Sequence, residues 1–152
     1  MINFRPAMIS DSEVIADFNC RLALETEQKT LDSSTVREGV LRGLKLAPEV
    51  RYFVATIDDA VVGQIMLTRE WSDWRNGWMV WLQSVYVRSD CRGAGIFRGL
   101  LEYSMEQVKS EGNVVNARLY VEYANDAAKA TYRKIGFVDA GYEVMEMPLT
   151  TY

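Results

Sequence analysis

At 152 residues, with 49% hydrophobic and 25% charged side chains, the chain has the size and composition of one globular domain and not of a disordered or disulfide-stapled segment. A net charge of -4 disfavours nucleic acid and anionic membrane surfaces as partners, and no window approaches the ~18 uncharged apolar residues of a membrane span. There is no histidine, which excludes Ser-His-Asp, Cys-His and HExxH chemistry; Cys20 and Cys91 lack metal-site spacing and read as free thiols of a cytoplasmic protein that holds no metal.

Residues 1–11 carry no basic-then-apolar leader pattern, and a short strand is expected over 2–5, ending at Pro6. Ser10 and Glu13 have capping-box spacing at a helix start, and Val14, Ile15, Phe18 and Leu22 follow at helical intervals. A second helix is expected to begin within 32–35, to carry Val36, Val40, Leu41 and Leu44 on one face, and to end before Pro48. Between the two helices lies an acidic stretch with Glu25 and Glu27. The β-branched runs 52–57 and 61–69, turning at Asp58 and Asp59, predict an antiparallel hairpin.

Residues 71–77 read as a loop, and 78–87 as a long central strand, apolar on both faces, that stops at Ser89 and Asp90. Arg92-Gly93-Ala94-Gly95-Ile96-Phe97 then opens a helix whose Ile96, Leu100, Leu101 and Val108 form the buried stripe, with Gly112 just past its end. A strand over 118–122, a helix over 125–135 closed by Gly136, and a last strand over 142–147 complete the order. No repeat or linker marks a second domain, so residues 1–152 are read as one domain, α+β or mixed α/β.

A glycine turn between a central strand and a helix brings backbone N–H groups and the positive end of the helix dipole close to an anion. Arg92 and Arg98 flank this turn and can add charge-assisted contacts to phosphate oxygens. It is neither a P-loop, because GxxxxGK[ST] is absent, nor a dinucleotide fingerprint, because no glycine stands three residues after Gly95.

Val85-Tyr86-Val87-Arg88-Ser89-Asp90-Cys91-Arg92-Gly93-Ala94-Gly95-Ile96-Phe97-Arg98 resembles motif A of the GNAT family of N-acetyltransferases, Q/R-x-x-G-x-G/A after a strand, with Phe97 in place of the last small residue. Asn125-x-x-Ala128-x-x-x-Tyr132-x-x-x-Gly136-Phe137 is similar to the family's motif B, in the correct order and at about the right distance. Gly63 in Val-Val-Gly-Gln and the 142–147 segment also fit the family layout. The resemblance implies a mixed sheet of six or seven strands with about four helices, splayed next to the motif A strand. Acetyl-CoA is the implied acyl donor, its pantetheine arm pairing with the strand end at Val85, Tyr86 and Val87 and its pyrophosphate resting on 92–98. Such a splay exposes backbone groups that an amide-bearing arm can satisfy.

The resemblance also places a general acid at Tyr132, whose hydroxyl, with a reference pKa of about 10, can protonate a departing thiolate at neutral pH. Asn125 either contacts the pantetheine arm or caps its helix, two compatible roles. The family's carboxylate base on the motif A strand falls on Trp81 here, so the base is left to Glu70, Asp73, Glu25, Glu27 or an ordered water. The acidic residues Glu25, Glu27, Glu70 and Asp73, together with Trp71 and Trp74, are assigned to an acceptor pocket for a small primary amine, with Arg69 and Arg75 near enough in sequence to anchor a carboxylate. An acyl-CoA-binding module without catalysis and acetylation of a protein amine are the alternatives, and a homodimer is an analogy only.

Overall fold

The computed structural model describes residues 1–150. They divide into two compact units, Met1–Tyr120 and the segment that starts at Val121. The first unit is built on strands β1 (Ile2–Pro6), β2 (Val50–Ile57), β3 (Ala60–Ser72), β4 (Gly77–Val87) and β5 (Val114–Leu119), which lie side by side in that order. Neighbours run antiparallel except β4 and β5, which are parallel. A parallel pair needs a crossover, and α3 (Ile96–Lys109) supplies it. Helices α1 (Ser12–Glu27) and α2 (Ser33–Gly43) connect β1 to β2.

Strand alternation gives the sheet two apolar faces, each covered by helices. On one face Tyr52 and Val54 of β2 meet Ile15 and Ala16 of α1 and Val40 of α2. On the other, Phe53 packs edge-on against Tyr103 of α3, and the missing side chain of Gly99 admits Phe4 of β1, whose ring would lie 2.4 Å from a Cβ there. Ile96, Leu100, Leu101 and Val108 are all buried, as the helical stripe predicts. In the second unit, α4 (Asp126–Ile135) starts with the Asn125 carboxamide accepting from the Ala128 N–H at 3.1 Å and ends at Gly136, φ 119°. No helix among the described residues is long and apolar enough to cross a membrane.

The expected mixed α/β class holds, with corrections in detail. Among the described residues the sheet has five strands, not six or seven, because 142–147 forms no ladder: alternating side chains suit a strand, but only a paired edge makes one. Ser10 does not cap α1; it lies in a 3-10 turn, Ile9–Asp11, and Asp11 takes the Met8 N–H at 2.7 Å while paired to Arg5. The loop expected at 71–77 shrinks to 73–76, since Trp71 and Ser72 pair across the hairpin with Trp78 and Gly77. The strand expected at 118–122 instead starts at Val114, where the parallel register against Trp78 begins, and stops at Leu119.

Candidate functional site

The parallel ladder ends at the Leu82–Leu119 pair, so β4 runs on through Val87 without β5 beside it. There β4 also carries a bulge. Gln83 lies opposite Met66 and Tyr86 opposite Gln64, so Ser84 and Val85 together face the single residue Ile65, and Ser84 adopts a left-handed φ of 50°. Beyond the bulge the Arg88 N–H bonds the Val62 carbonyl, which turns the N–H and C=O of its neighbour Val87 toward the edge that β5 has left. The splay expected from the sequence is thus an open strand edge with backbone groups aimed outward.

The chain continues from this edge through a second 3-10 turn, Ser89–Cys91, into the glycine turn. Gly93 (φ 86°) and Gly95 (φ 76°) are left-handed, and nothing lies within 4 Å of where a Cβ on either would stand, so the glycines serve backbone shape under an open space. Among the described residues the N–H groups of Gly93, Ala94 and Gly95 have no acceptor, and Gly95 caps α3, whose dipole adds positive potential. Ile96 is buried against Gly63, so it can offer the turn only its backbone. A pyrophosphate and an amide arm fit this donor set.

The side chains are less free than the sequence suggests. Arg92 donates from Nε to the Val87 carbonyl at 2.8 Å and from an Nη to both Glu25 oxygens at 3.2 Å, with its guanidinium 5.3 Å from the Tyr86 ring centre. Burial first, and then the bond to Glu25, pushes the Tyr86 hydroxyl above its ordinary pKa. Arg98 is exposed and paired along the helix with Glu102 at 2.9 Å. Glu25 therefore stands beside Arg92 at the glycine turn and not with the other acidic candidates.

Nor do the remaining acceptor candidates form one wall. Glu70 and Trp71 are consecutive on β3 and point to opposite faces. On the α1 face, Glu70 accepts from Trp81 Nε1 at 2.8 Å and lies 3.8 Å from Arg118, while Trp81 stacks on Tyr120 at 4.5 Å between ring centres. On the α3 face Trp71 packs edge-on against Trp78, and Arg69 covers Trp78 at 4.0 Å. Trp74 and Asp73 are exposed at the hairpin tip, and Glu27 pairs with Lys29. A cavity of about 200 Å³ lined by Arg51, Arg69, Trp78 and Val108 lies at the C-terminal end of α3, away from the glycine turn that precedes its first residue.

In the second unit Asn125 is the α4 cap described above, and Tyr132 packs edge-on to Phe137 at 5.8 Å between ring centres. Burial raises the Tyr132 pKa, so the hydroxyl stays protonated at neutral pH. Sequence reasoning overlooked Gln64, Asn19 and Ser84, which meet at the bulge. The available signal was a glutamine inside the apolar run 61–69.

Comparisons with known proteins identify the family and the fold. The model of the "Acetyltransferase (GNAT) family" matches residues 17–137. The solved structure of a possible acetyltransferase from Clostridium difficile 630 is 42% identical and covers 99% of each chain with a TM-score of 0.92. An N-alpha-acetyltransferase of Saccharolobus solfataricus is 37% identical over 95 residues, 57% of this chain and 55% of its own, so the chain spans about half the length of that curated relative. A predicted acetyltransferase from Clostridium acetobutylicum, solved with acetyl-CoA, shares the fold at a TM-score of 0.79 and 18% identity, over 98% of this chain and 97% of that one.

Proposed function

The chain belongs to the GNAT acetyltransferase family, and from that premise we propose that it transfers the acetyl group of acetyl-CoA to a primary amine of a small-molecule acceptor by direct attack in a ternary complex. The observation that carries this reading is the open edge of β4 beyond Leu82, leading directly into the glycine turn. Acetyl-CoA supplies an acyl carbon already activated as a thioester. The outward N–H of Val87 suits its amide arm, the Val87 carbonyl being held by Arg92, and the free N–H groups of 93–95 suit its pyrophosphate. When the amine nitrogen bonds the acyl carbon and the carbon–sulfur bond breaks, the ammonium must lose a proton and the thiolate must gain one. By its place in the family pattern, Tyr132 gives the second proton. Glu70, fixed by Trp81 where the family's usual strand carboxylate is missing, attracts the ammonium and receives the first, directly or through water.

The relative named N-alpha-acetyltransferase supports a second reading, in which the acceptor is the α-amine of a polypeptide. Thiol release from acetyl-CoA over a panel of diamines, amino acids and short peptides with free N-termini separates the two. Turnover with small amines is expected. Turnover with peptides alone favours the second reading, and binding without turnover on any amine leaves a non-catalytic acyl-CoA module.

A further inference from the structure

We infer that Gln64 is a positioning residue for the acyl donor, holding the bulged end of β4 open through the Ser84 carbonyl; this rests on the donor reading above. Gln64 is fully buried in β3. Its Nε2 donates to the Ser84 carbonyl at 3.1 Å and to Asn19 Oδ1 at 2.8 Å, so one amide ties α1 to the bulge. Ser84 needs the tie for two reasons. Its left-handed backbone is disfavoured for a residue that has a Cβ, and the bulge turns its carbonyl out of the ladder, where a partly buried acceptor requires a donor.

The other end of the amide shows that packing does not explain the residue. Gln64 Oε1 is buried with no donor among the described residues, a desolvation cost that a leucine of similar size would not incur. The amide is held for what its nitrogen does. That is to set where β4 leaves β5, just past Leu82, and which way Val85 and Val87 face, since a slip of one residue would turn both to the opposite side. The tie acts on the donor edge and not on the Glu70–Trp81 pair, which lies in the regular part of the β3–β4 hairpin.

The test compares Gln64→Leu, Asn19→Leu and Asn19→Asp with the wild type by calorimetric titration of acetyl-CoA, steady-state kinetics and amide hydrogen exchange. Gln64→Leu is expected to raise both the Kd and the KM for acetyl-CoA about ten-fold, the scale of one lost hydrogen bond, and to speed exchange at 84–87. The acceptor KM should stay within about two-fold; the melting temperature is not the readout, because losing the orphaned Gln64 oxygen and orphaning the Ser84 carbonyl and Asn19 Oδ1 act in opposite directions. Asn19→Leu should show the same pattern at smaller size, and it keeps the test open should Gln64→Leu fail to fold. Asn19→Asp retains an acceptor and should bind as the wild type does. Wild-type acetyl-CoA affinity in both leucine variants, or a loss shared equally by donor and acceptor, overturns the assignment. A wild-type protein that does not bind acetyl-CoA overturns the donor reading instead.

Discussion

Two side chains carry the proposed chemistry, and each has a property that the sequence alone leaves open. Tyr132 is held above the ordinary tyrosine pKa by burial, so it remains a proton donor across the range in which an amine acceptor loses its proton. Activity is therefore expected to rise with pH through the acceptor's deprotonation and to show no descending limb below about pH 10. Tyr132→Phe should lower kcat roughly ten- to a thousand-fold while leaving acetyl-CoA affinity intact, and titration beside kinetics on one sample checks it. An unchanged kcat would return Tyr132 to packing alone. Glu70 is the carboxylate that Trp81 holds in place, whereas Glu27 is paired with Lys29 and Asp73 sits at the hairpin tip. Glu70→Gln is expected to raise the KM of a cationic acceptor several-fold, in keeping with a partly solvated charge, and to spare the KM for acetyl-CoA. Glu27→Lys and Asp73→Lys should do little; if they move the acceptor KM and Glu70→Gln does not, the pocket is elsewhere.

Among the elements, β1 is joined to the turn that starts α1 by a partly buried ion pair, Arg5–Asp11. Asp11 is 6% exposed, and that burial alone would raise its pKa; the two bonds from Arg5, at 2.7 and 3.0 Å, and the Met8 N–H reverse the sign and leave it lowered. A lowered folded-state pKa gives stability that is present above the unfolded carboxylate value of about 4 and is lost as pH falls through the folded value. Asp11→Asn is expected to cost about 2 kcal/mol at pH 7, and the gap to wild type should narrow below pH 4 in urea unfolding followed at both pH values. This contact was legible only as a helix start, and it was assigned to Ser10 and Glu13, because spacing identifies a cap candidate but not the longer-range arginine that claims a different one. Elements set by local signals were readable: the start of α2 within 32–35, Asn125 as a helix cap, the Asp58–Asp59 turn, the stripe of α3. Features set by pairing were not. The bulge at Ser84, the extent of β5 and the extension of β3 through Glu70 and Trp71 depend on which strand lies alongside and in what register, information held in no window of the sequence.

For the molecule as a whole, the proposed function requires a chain of net charge -4 to bind a polyanionic donor. The overall field works against it, and much of the positive charge is already committed: Arg92 to Glu25 and the Val87 carbonyl, Arg98 to Glu102, Arg88 to Asp90. The binding free energy must then come mainly from uncharged backbone donors and from the open strand edge, which recognise an amide arm and not charge alone. It follows that ligands are sorted by the pantetheine arm. Acetyl-CoA and CoA are expected to raise the melting temperature, whereas ATP and NAD, which carry comparable phosphates without that arm, are not. At a hundred times its Kd a ligand stabilises the folded state by about 2.7 kcal/mol, which for a chain of this size corresponds to a shift of roughly 5–10 °C. Arg92→Ala should reduce the shift without abolishing it, because the backbone groups remain when the guanidinium is gone. Thermal scans of both proteins against the four ligands decide the matter. A shift with ATP equal to that with acetyl-CoA would mean that phosphate alone is recognised and that the open edge of β4 has another occupant.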